Sequence, residues 1–390
     1  MPIPPRIARA RRDKRAKKAR AFINKTLPAI LRSNARAKAG AQAAMLMVDP
    51  PPASPPPETT SKPTTTSNLI SSSYDGACEG ESGTTSTPLV DISIYAGDTL
   101  AAASKFHFCS SSSSGSSESS ISGDNQQRFP KPPEAPAARV AVLNMASPLR
   151  PGGGVLTGAT SQEEALCSRT TLYASLREDF YRLPDVGGVY TPDVLVVRDA
   201  QSEDLRRDQR FFVDVITSAM LRMPDVQDAT YAEEQDREMV LRKMKAVLRM
   251  ARSQCVTRLV LGAWGCGGYG NPPGDVARAW KRVLCGGTGR GRNQDSSDSS
   301  RRGGQGQTRH GNQKNRRRNC YHGEGWEGLQ VVFAIREQRL ARIFADTFGT
   351  EILIDADGNE EEEEGATQLP TDKSDCEEQE SEGSDDSWTS

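Results

Sequence analysis

Six short apolar runs do more than any other feature of this chain to limit its fold. They occupy residues 89–94, 140–144, 194–197, 211–217, 258–262 and 329–335, all rich in Val, Ile and Leu. A strand with one wet face alternates apolar and polar residues. A run that is apolar at nearly every position suits a strand covered on both faces. Between the runs, 162–176, 231–253, 275–284 and 337–348 read as helices. In 231–253, Met239, Val240, Met244, Val247, Leu248 and Ala251 recur at helical spacing. Strands alternating with helices predict a three-layer α/β/α fold around a mixed, mainly parallel sheet. Residues 21–50 read as a helical N-terminal extension, with Phe22, Ile23, Leu27, Ile30 and Leu31 on one stripe.

Composition says that much of the chain lies outside this core. Only 35% of the 390 residues are hydrophobic, against ~45–50% in a globular domain. The shortfall sits in segments with too little apolar surface to offset the entropy of ordering them. The organisation expected is a basic disordered arm over 1–20 and the helical extension over 21–50. A disordered Pro/Ser/Thr-rich insert follows over 51–87. The α/β domain spans 88–350, interrupted by disordered inserts at 109–135 and 286–322, and an acidic disordered tail covers 351–390.

The net charge of -1 conceals local blocks. Residues 1–40 hold 13 Lys/Arg against Asp13 alone, and 286–322 hold nine against two Asp. Residues 355–390 hold 15 acids against Lys373. The basic arms fit either weak nucleic-acid contact or a solvated surface. There is no apolar run of ~18 residues to span a membrane, and no apolar core of a secretory signal follows the basic N-terminus. The eight Cys form no CxxC pair, the pattern of reduced thiols. An intracellular protein, nuclear and/or cytoplasmic, is expected. With three His, no metal site is expected.

Two stretches carry chemistry. In the first, a strand ends at Asn144, the triplet Gly152-Gly153-Gly154 follows, and Gln162-Glu163-Glu164 opens a helix. Glycines let a backbone approach a ligand closely, and carboxylates beside them offer acid/base groups. The same residues also fit a plain helix start, with Ser161 as cap and the acids completing the first turn. In the second stretch, a strand runs into Gly265-Cys266-Gly267-Gly268-Tyr269-Gly270 and then a helix. The spacing Gly265-x-Gly267-x-x-Gly270 matches a dinucleotide fingerprint. The acid expected about twenty residues later is missing, so a dehydrogenase is disfavoured. A loop whose N–H groups cradle a diphosphate remains, beside the alternative of a tight turn without ligand.

The ordered set VLNMAS, PGGG, QEE, SRTTLY, LVLGAWGCGGYGNPP and VVFAI resembles the microbial-type poly(ADP-ribose) glycohydrolase family, over about residues 20–350 without the inserts. The resemblance implies a macrodomain-like fold with N-terminal helices. It implies hydrolysis of ribose–ribose O-glycosidic bonds in poly(ADP-ribose), releasing ADP-ribose, with a single Glu as general acid and then base. Carried over by position, Glu164 is the acid/base and Glu163 orients a ribose hydroxyl. Asn144 and Gln162 belong to the substrate site, and Gly152, Gly153 and Gly154 border the ribose and diphosphate. Gly265, Cys266, Gly267, Gly268, Tyr269 and Gly270 form the diphosphate loop, with Tyr269 over the scissile ribose. Asp91 and Ile92 are adenine candidates by position alone. The family commonly has Phe where this chain has Met145, and the 286–322 insertion departs from its pattern.

No cofactor is implied. The partners implied are poly(ADP-ribose) or ADP-ribosylated proteins, with no membrane and a monomeric chain. A macrodomain that reads ADP-ribose without cleaving it, or a scaffold, is the alternative. The acidic pair at 163–164 favours the enzyme. A catalytic thiol at Cys266 would need an activating base that the surrounding sequence does not supply. Trp264 and Trp280 read as core residues.

Overall fold

The computed structural model describes residues 5–52, 90–109, 139–286 and 324–354. Apart from their edges, the segments expected to be disordered at 51–87, 109–135, 286–322 and 351–390 lie outside the described residues.

The elements run α1 (Pro5–Ala21), a π-turn over Phe22–Thr26, α2 (Leu27–Ser33), α3 (Ala35–Gln42), β1 (Met45–Val48), β2 (Val90–Tyr95), α4 (Thr99–Cys109) and β3 (Arg139–Met145). Next come α5 (Gln162–Arg169), β4 (Gly187–Val196), β5 (Phe211–Ser218), a small hairpin of β6 (Val226–Gln227) and β7 (Thr230–Tyr231), and α6 (Glu234–Ser253). The chain continues with β8 (Val256–Leu261), α7 (Pro273–Cys285), β9 (Leu329–Ala334), α8 (Gln338–Phe348) and β10 (Ile352–Leu353).

Eight strands form one sheet in the order β1-β4-β5-β3-β8-β9-β2-β10. The pairings from β5 through β10 are parallel, while β1·β4 and β4·β5 are antiparallel. The apolar runs behave as their composition demands. On β3, Ala141 and Leu143 pack with α6, α7 and α8, while Val140 and Val142 pack with the layer built from α1 to α5. Both faces are therefore dry, and the three-layer α/β/α arrangement follows. Trp264 and Trp280 lie in the core, with Trp280 edge-on to Phe333 at 6.0 Å.

Three boundaries differ from the sequence reading. Residues 5–21 form a helix, not a disordered arm. Its Ala16 and Ala19 are buried, and the Nε atoms of Arg12, Arg15 and Arg20 donate to the carbonyls of Thr157, Gly158 and Leu156, each at 3.0 Å. A basic stretch reads as solvated only until its side chains find acceptors. The helical extension also breaks at Asn34, whose side chain accepts from the Ala37 N–H at 2.9 Å and caps α3. The chain then turns into the edge strand β1. At the far end, Ile352 and Leu353 pair in parallel with Ile94 and Tyr95, so the first residues assigned to the acidic tail belong to the sheet.

Candidate active site

Ligands of parallel sheets bind beyond the C-terminal ends of the strands. Here β5, β3 and β8 are parallel neighbours, so the loops that leave them meet. They enclose a cavity of about 610 Å³ whose wall includes Glu163, Glu164, Gly153, Gly154, Gly267 and Tyr269. The two glycine stretches, more than a hundred residues apart in sequence, thus face one space.

Both carboxylates are buried, Glu163 at 2% and Glu164 at 6% exposure. The Ser147 N–H donates to Glu163 Oε2 at 2.8 Å. The Gly154 N–H donates to Glu164 Oε1 at 2.7 Å, and the Ser161 hydroxyl donates to Glu164 Oε2. The plain helix-start reading is therefore corrected. Ser161 makes no side-chain cap to the backbone of α5; its hydroxyl holds the carboxylate instead. Burial pushes the Glu163 carboxyl up to about 8, and the charge of Glu164 adds to that. The Ser147 N–H and the Asn144 amide work in the opposite sense. Glu163 Oε1 and the Asn144 carbonyl oxygen have no partner among the described residues; Glu163 is on the cavity wall, where a ligand hydroxyl could supply one, while Asn144 lies behind that wall.

Gly153 is required by this arrangement. Its φ is +57°, and a Cβ there would lie 2.7 Å from Glu163 Oε2 and 2.7 Å from Glu164 Oε1. Gly153 and Gly154 line the cavity, while Gly152 faces Tyr173 and Cys167. The triplet thus holds the carboxylates as much as it approaches a ligand.

The second loop is open. A Cβ on Gly267 or Gly268 would meet nothing within 4 Å. Packing within the protein therefore does not require glycine there, and the bare backbone leaves room for a ligand. The Gly270 N–H closes a turn on the Gly267 carbonyl at 2.9 Å. The Cys266 N–H is taken by the Ala263 carbonyl at 3.1 Å. The N–H groups of Gly267, Gly268 and Tyr269 have no acceptor among the described residues. Burial pushes the Cys266 thiol up to about 12, and Glu337 adds to it, so it stays protonated and serves packing. Cys167, Cys255, Cys266 and Cys285 are unpaired thiols.

Asn271, which the sequence reading passed over, organises this loop. Its Nδ2 donates to the carbonyls of Leu221, Gly265 and Tyr269 at 2.7, 3.1 and 3.4 Å, and its Oδ1 accepts from the Tyr231 hydroxyl at 2.9 Å. A Cβ on Gly265 would lie 2.5 Å from that Nδ2. The only sequence signal was an Asn closing a glycine run. Arg150, Arg222 and Ser147 also line the cavity and were missed.

The remaining expected residues divide. Asn144 is fully buried on β3, and its Nδ2 donates to Thr217 Oγ1 at 3.2 Å. Gln162 lines the cavity but uses its amide on backbone. It accepts from the Met145 N–H at 2.9 Å and donates to the Leu143 carbonyl at 2.7 Å, pinning α5 to the end of β3. Asp91 and Ile92 sit at the start of β2, the end opposite the cavity. The acid at the other end is Asp98, which pairs with Arg169 at 2.8 Å.

Residues 70–199 match the family model described as microbial-type PARG, catalytic domain. No curated protein gives a significant match. Among solved structures, poly(ADP-ribose) glycohydrolase (PARG) from Thermomonospora curvata is 22% identical, covering 86% of this chain and 100% of its own, with a TM-score of 0.52. That level of likeness speaks for the fold. A glutamate-to-alanine mutant of the same enzyme is 26% identical over 66% of this chain and 79% of its own, with a TM-score of 0.45. The glycohydrolase from Deinococcus radiodurans, solved with ADP-ribose, is 21% identical over 67% of this chain and 85% of its own, with a TM-score of 0.44.

Proposed function

We propose, from the premise that the chain belongs to the microbial-type poly(ADP-ribose) glycohydrolase family, that it hydrolyses ribose–ribose O-glycosidic bonds in poly(ADP-ribose) and releases ADP-ribose. The observation that carries this reading is the pairing, across one cavity, of two buried carboxylates with a glycine loop of unengaged N–H groups.

The loop of Gly267, Gly268 and Tyr269 donates to the diphosphate of the unit being released. Tyr269 covers the scissile ribose, and Glu163 meets its hydroxyls with its unpartnered oxygen, with Asn144 directly behind it at the end of β3. Two carboxylates this close do not both ionise easily, so the pair retains a proton near neutrality. Glu164 protonates the leaving ribose oxygen as the C–O bond breaks. The substrate's own diphosphate supports the oxocarbenium-like state, and Glu164 then takes a proton from the attacking water. Gly154 and Ser161 keep Glu164 aimed through both steps.

The test is ADP-ribose release from a poly(ADP-ribosyl)ated protein, with calorimetry of ADP-ribose binding alongside. Glu164→Gln is expected to lose activity by about 10²–10⁴-fold while still binding ADP-ribose. The raised carboxyl of Glu163 favours one competing assignment, in which the two acids exchange roles. Glu163→Gln silent and Glu164→Gln active would establish that exchange. Full activity in both variants would overturn the enzyme reading, and binding without turnover in the wild type would favour a reader.

No helix among the described residues is long and apolar enough to cross a membrane. An intracellular monomer that meets nucleic acid weakly through the outer basic residues of α1, such as Arg9, Lys14 and Lys17, completes the proposal. Analytical ultracentrifugation and salt-dependent DNA binding test that part.

A further inference from the structure

Two arginines at the cavity have no task in the steps above. Arg150 and Arg222 both line it, both are exposed, and neither side chain has a hydrogen bond or ion pair among the described residues. They come from two different loops of its wall. Arg150 lies two residues before Gly152, on the loop that leaves β3. Arg222 lies on the loop that leaves β5, where the neighbouring Met223 N–H donates to the Tyr269 carbonyl at 3.0 Å. Arg15, Arg169 and Arg198, which line a second pocket that Glu164 also borders, are engaged with the Gly158 carbonyl, Asp98 and Asp204, and Lys18 and Arg336 line that second pocket rather than this cavity.

A poly(ADP-ribose) chain brings two negative charges per unit toward a site that holds two buried carboxylates. The diphosphate of the departing unit meets neutral donors in the Gly267–Tyr269 backbone. Nothing assigned so far meets the diphosphate on the other side of the scissile bond, which belongs to the chain that remains. A guanidinium keeps its charge at any working pH and matches phosphate oxygens with a planar fork. The exposed arginines are where that second diphosphate would pass.

We propose that Arg150 and Arg222 form a phosphate clamp for the polymer unit next to the scissile bond, and so set a preference for chains over single ADP-ribose groups on uncharged acceptors. The proposal rests on the glycohydrolase reading. The experiment compares the full-length wild type with Arg150→Ala, Arg222→Ala and the double variant on two substrates. One is poly(ADP-ribose); the other is an ADP-ribose glycoside with an uncharged aryl leaving group. ADP-ribose affinity is measured in parallel. Each single variant is expected to lose roughly tenfold in kcat/KM on the polymer, the scale of one charged hydrogen bond. The double variant should lose more and show a shallower salt dependence on the polymer. Activity on the aryl glycoside and ADP-ribose affinity should stay within about twofold. Equal losses on both substrates with weakened ADP-ribose binding would overturn the proposal, because the arginines would then hold the departing unit. No loss on either substrate would overturn it too. A wild type that cleaved neither substrate would instead overturn the glycohydrolase reading, so the two failures are distinguishable.

Discussion

The backbone N–H of Gly154 donates to Oε1 of Glu164 at 2.7 Å. This bond joins two motifs ten residues apart into one device. The glycine triplet aims the carboxylate, and the carboxylate in turn fixes the loop. The neighbouring Ser147 N–H does the same for Glu163. Each acid is therefore held by a backbone N–H on the segment that leaves β3, and Glu164 also by the Ser161 hydroxyl.

Gly153→Ala tests this coupling without touching either acid. The new methyl group would fall 2.7 Å from an oxygen of each carboxylate, in a backbone conformation with φ of +57° that favours glycine. Both acids must move, and a displacement of about 1 Å costs on the order of 10²-fold in rate. Turnover is expected to fall by about that much while circular dichroism stays that of the folded chain. Wild-type turnover would mean that the acids do not need this placement.

The sequence disclosed these parts unevenly, and the reasons are physical. β3 was legible because Val140 and Val142 face one apolar layer and Ala141 and Leu143 the other, which leaves four successive apolar residues ahead of Asn144. The acids at 163 and 164 were legible as a pair beside glycines. β1 was not, because Met45–Val48 is a mostly exposed edge strand that directly follows a helix with no Pro or Gly between them. Asn271 was hidden because its first acceptor, the Leu221 carbonyl, lies 50 residues away. The bonds of α1 were hidden in the same way, since its acceptors lie more than 130 residues downstream.

Deletion of residues 1–20 separates a helix from an arm. Loss of a solvated arm would leave the melting temperature unchanged. Loss of α1 removes three arginine–carbonyl bonds and uncovers the apolar surface under Ala16 and Ala19. Gly158 also packs against this helix, where a Cβ would fall on the Arg12 carbonyl. The exposed bonds are discounted for solvent, so a destabilisation of about 1–3 kcal/mol is expected, read as a drop of several degrees in Tm. Turnover should fall as well, because the turn from Leu156 to Gly158 leads into Ser161.

Asn271→Ala should act on binding rather than on the acids. The variant leaves the Leu221 carbonyl and the Tyr231 hydroxyl without their partner, while the Gly265 and Tyr269 carbonyls keep only the backbone N–H groups of residue 271 and Met223. Unpaired buried polar groups cost about 1–3 kcal/mol each before relaxation. The loop loses its shape, so ADP-ribose affinity is expected to weaken by about 10–100-fold. The Glu164→Gln variant should show the reverse pattern, lost turnover with retained binding. Unchanged affinity in Asn271→Ala would remove the loop from the diphosphate site.

The raised carboxyl of Glu163 makes both stability and binding depend on pH, and the sign follows from where the proton sits. The ordinary value is 4.5, and burial lifts the folded-state value to about 8. Between those limits the folded chain keeps a proton that the unfolded chain has released. Stability therefore falls as pH rises through that window. Glu163→Gln keeps the shape and a donor but cannot ionise. From about pH 5 to about pH 9, the wild type is expected to lose stability relative to this variant, on the order of a few kcal/mol. Denaturant unfolding at each pH reads the difference. ADP-ribose binding should follow the same course. Above about pH 8, ionised Glu163 places a buried negative charge close to an incoming diphosphate. Wild-type affinity should then weaken while that of Glu163→Gln stays level. Parallel pH profiles for the two proteins, in unfolding and in calorimetry, would show that Glu163 ionises like an ordinary carboxylate.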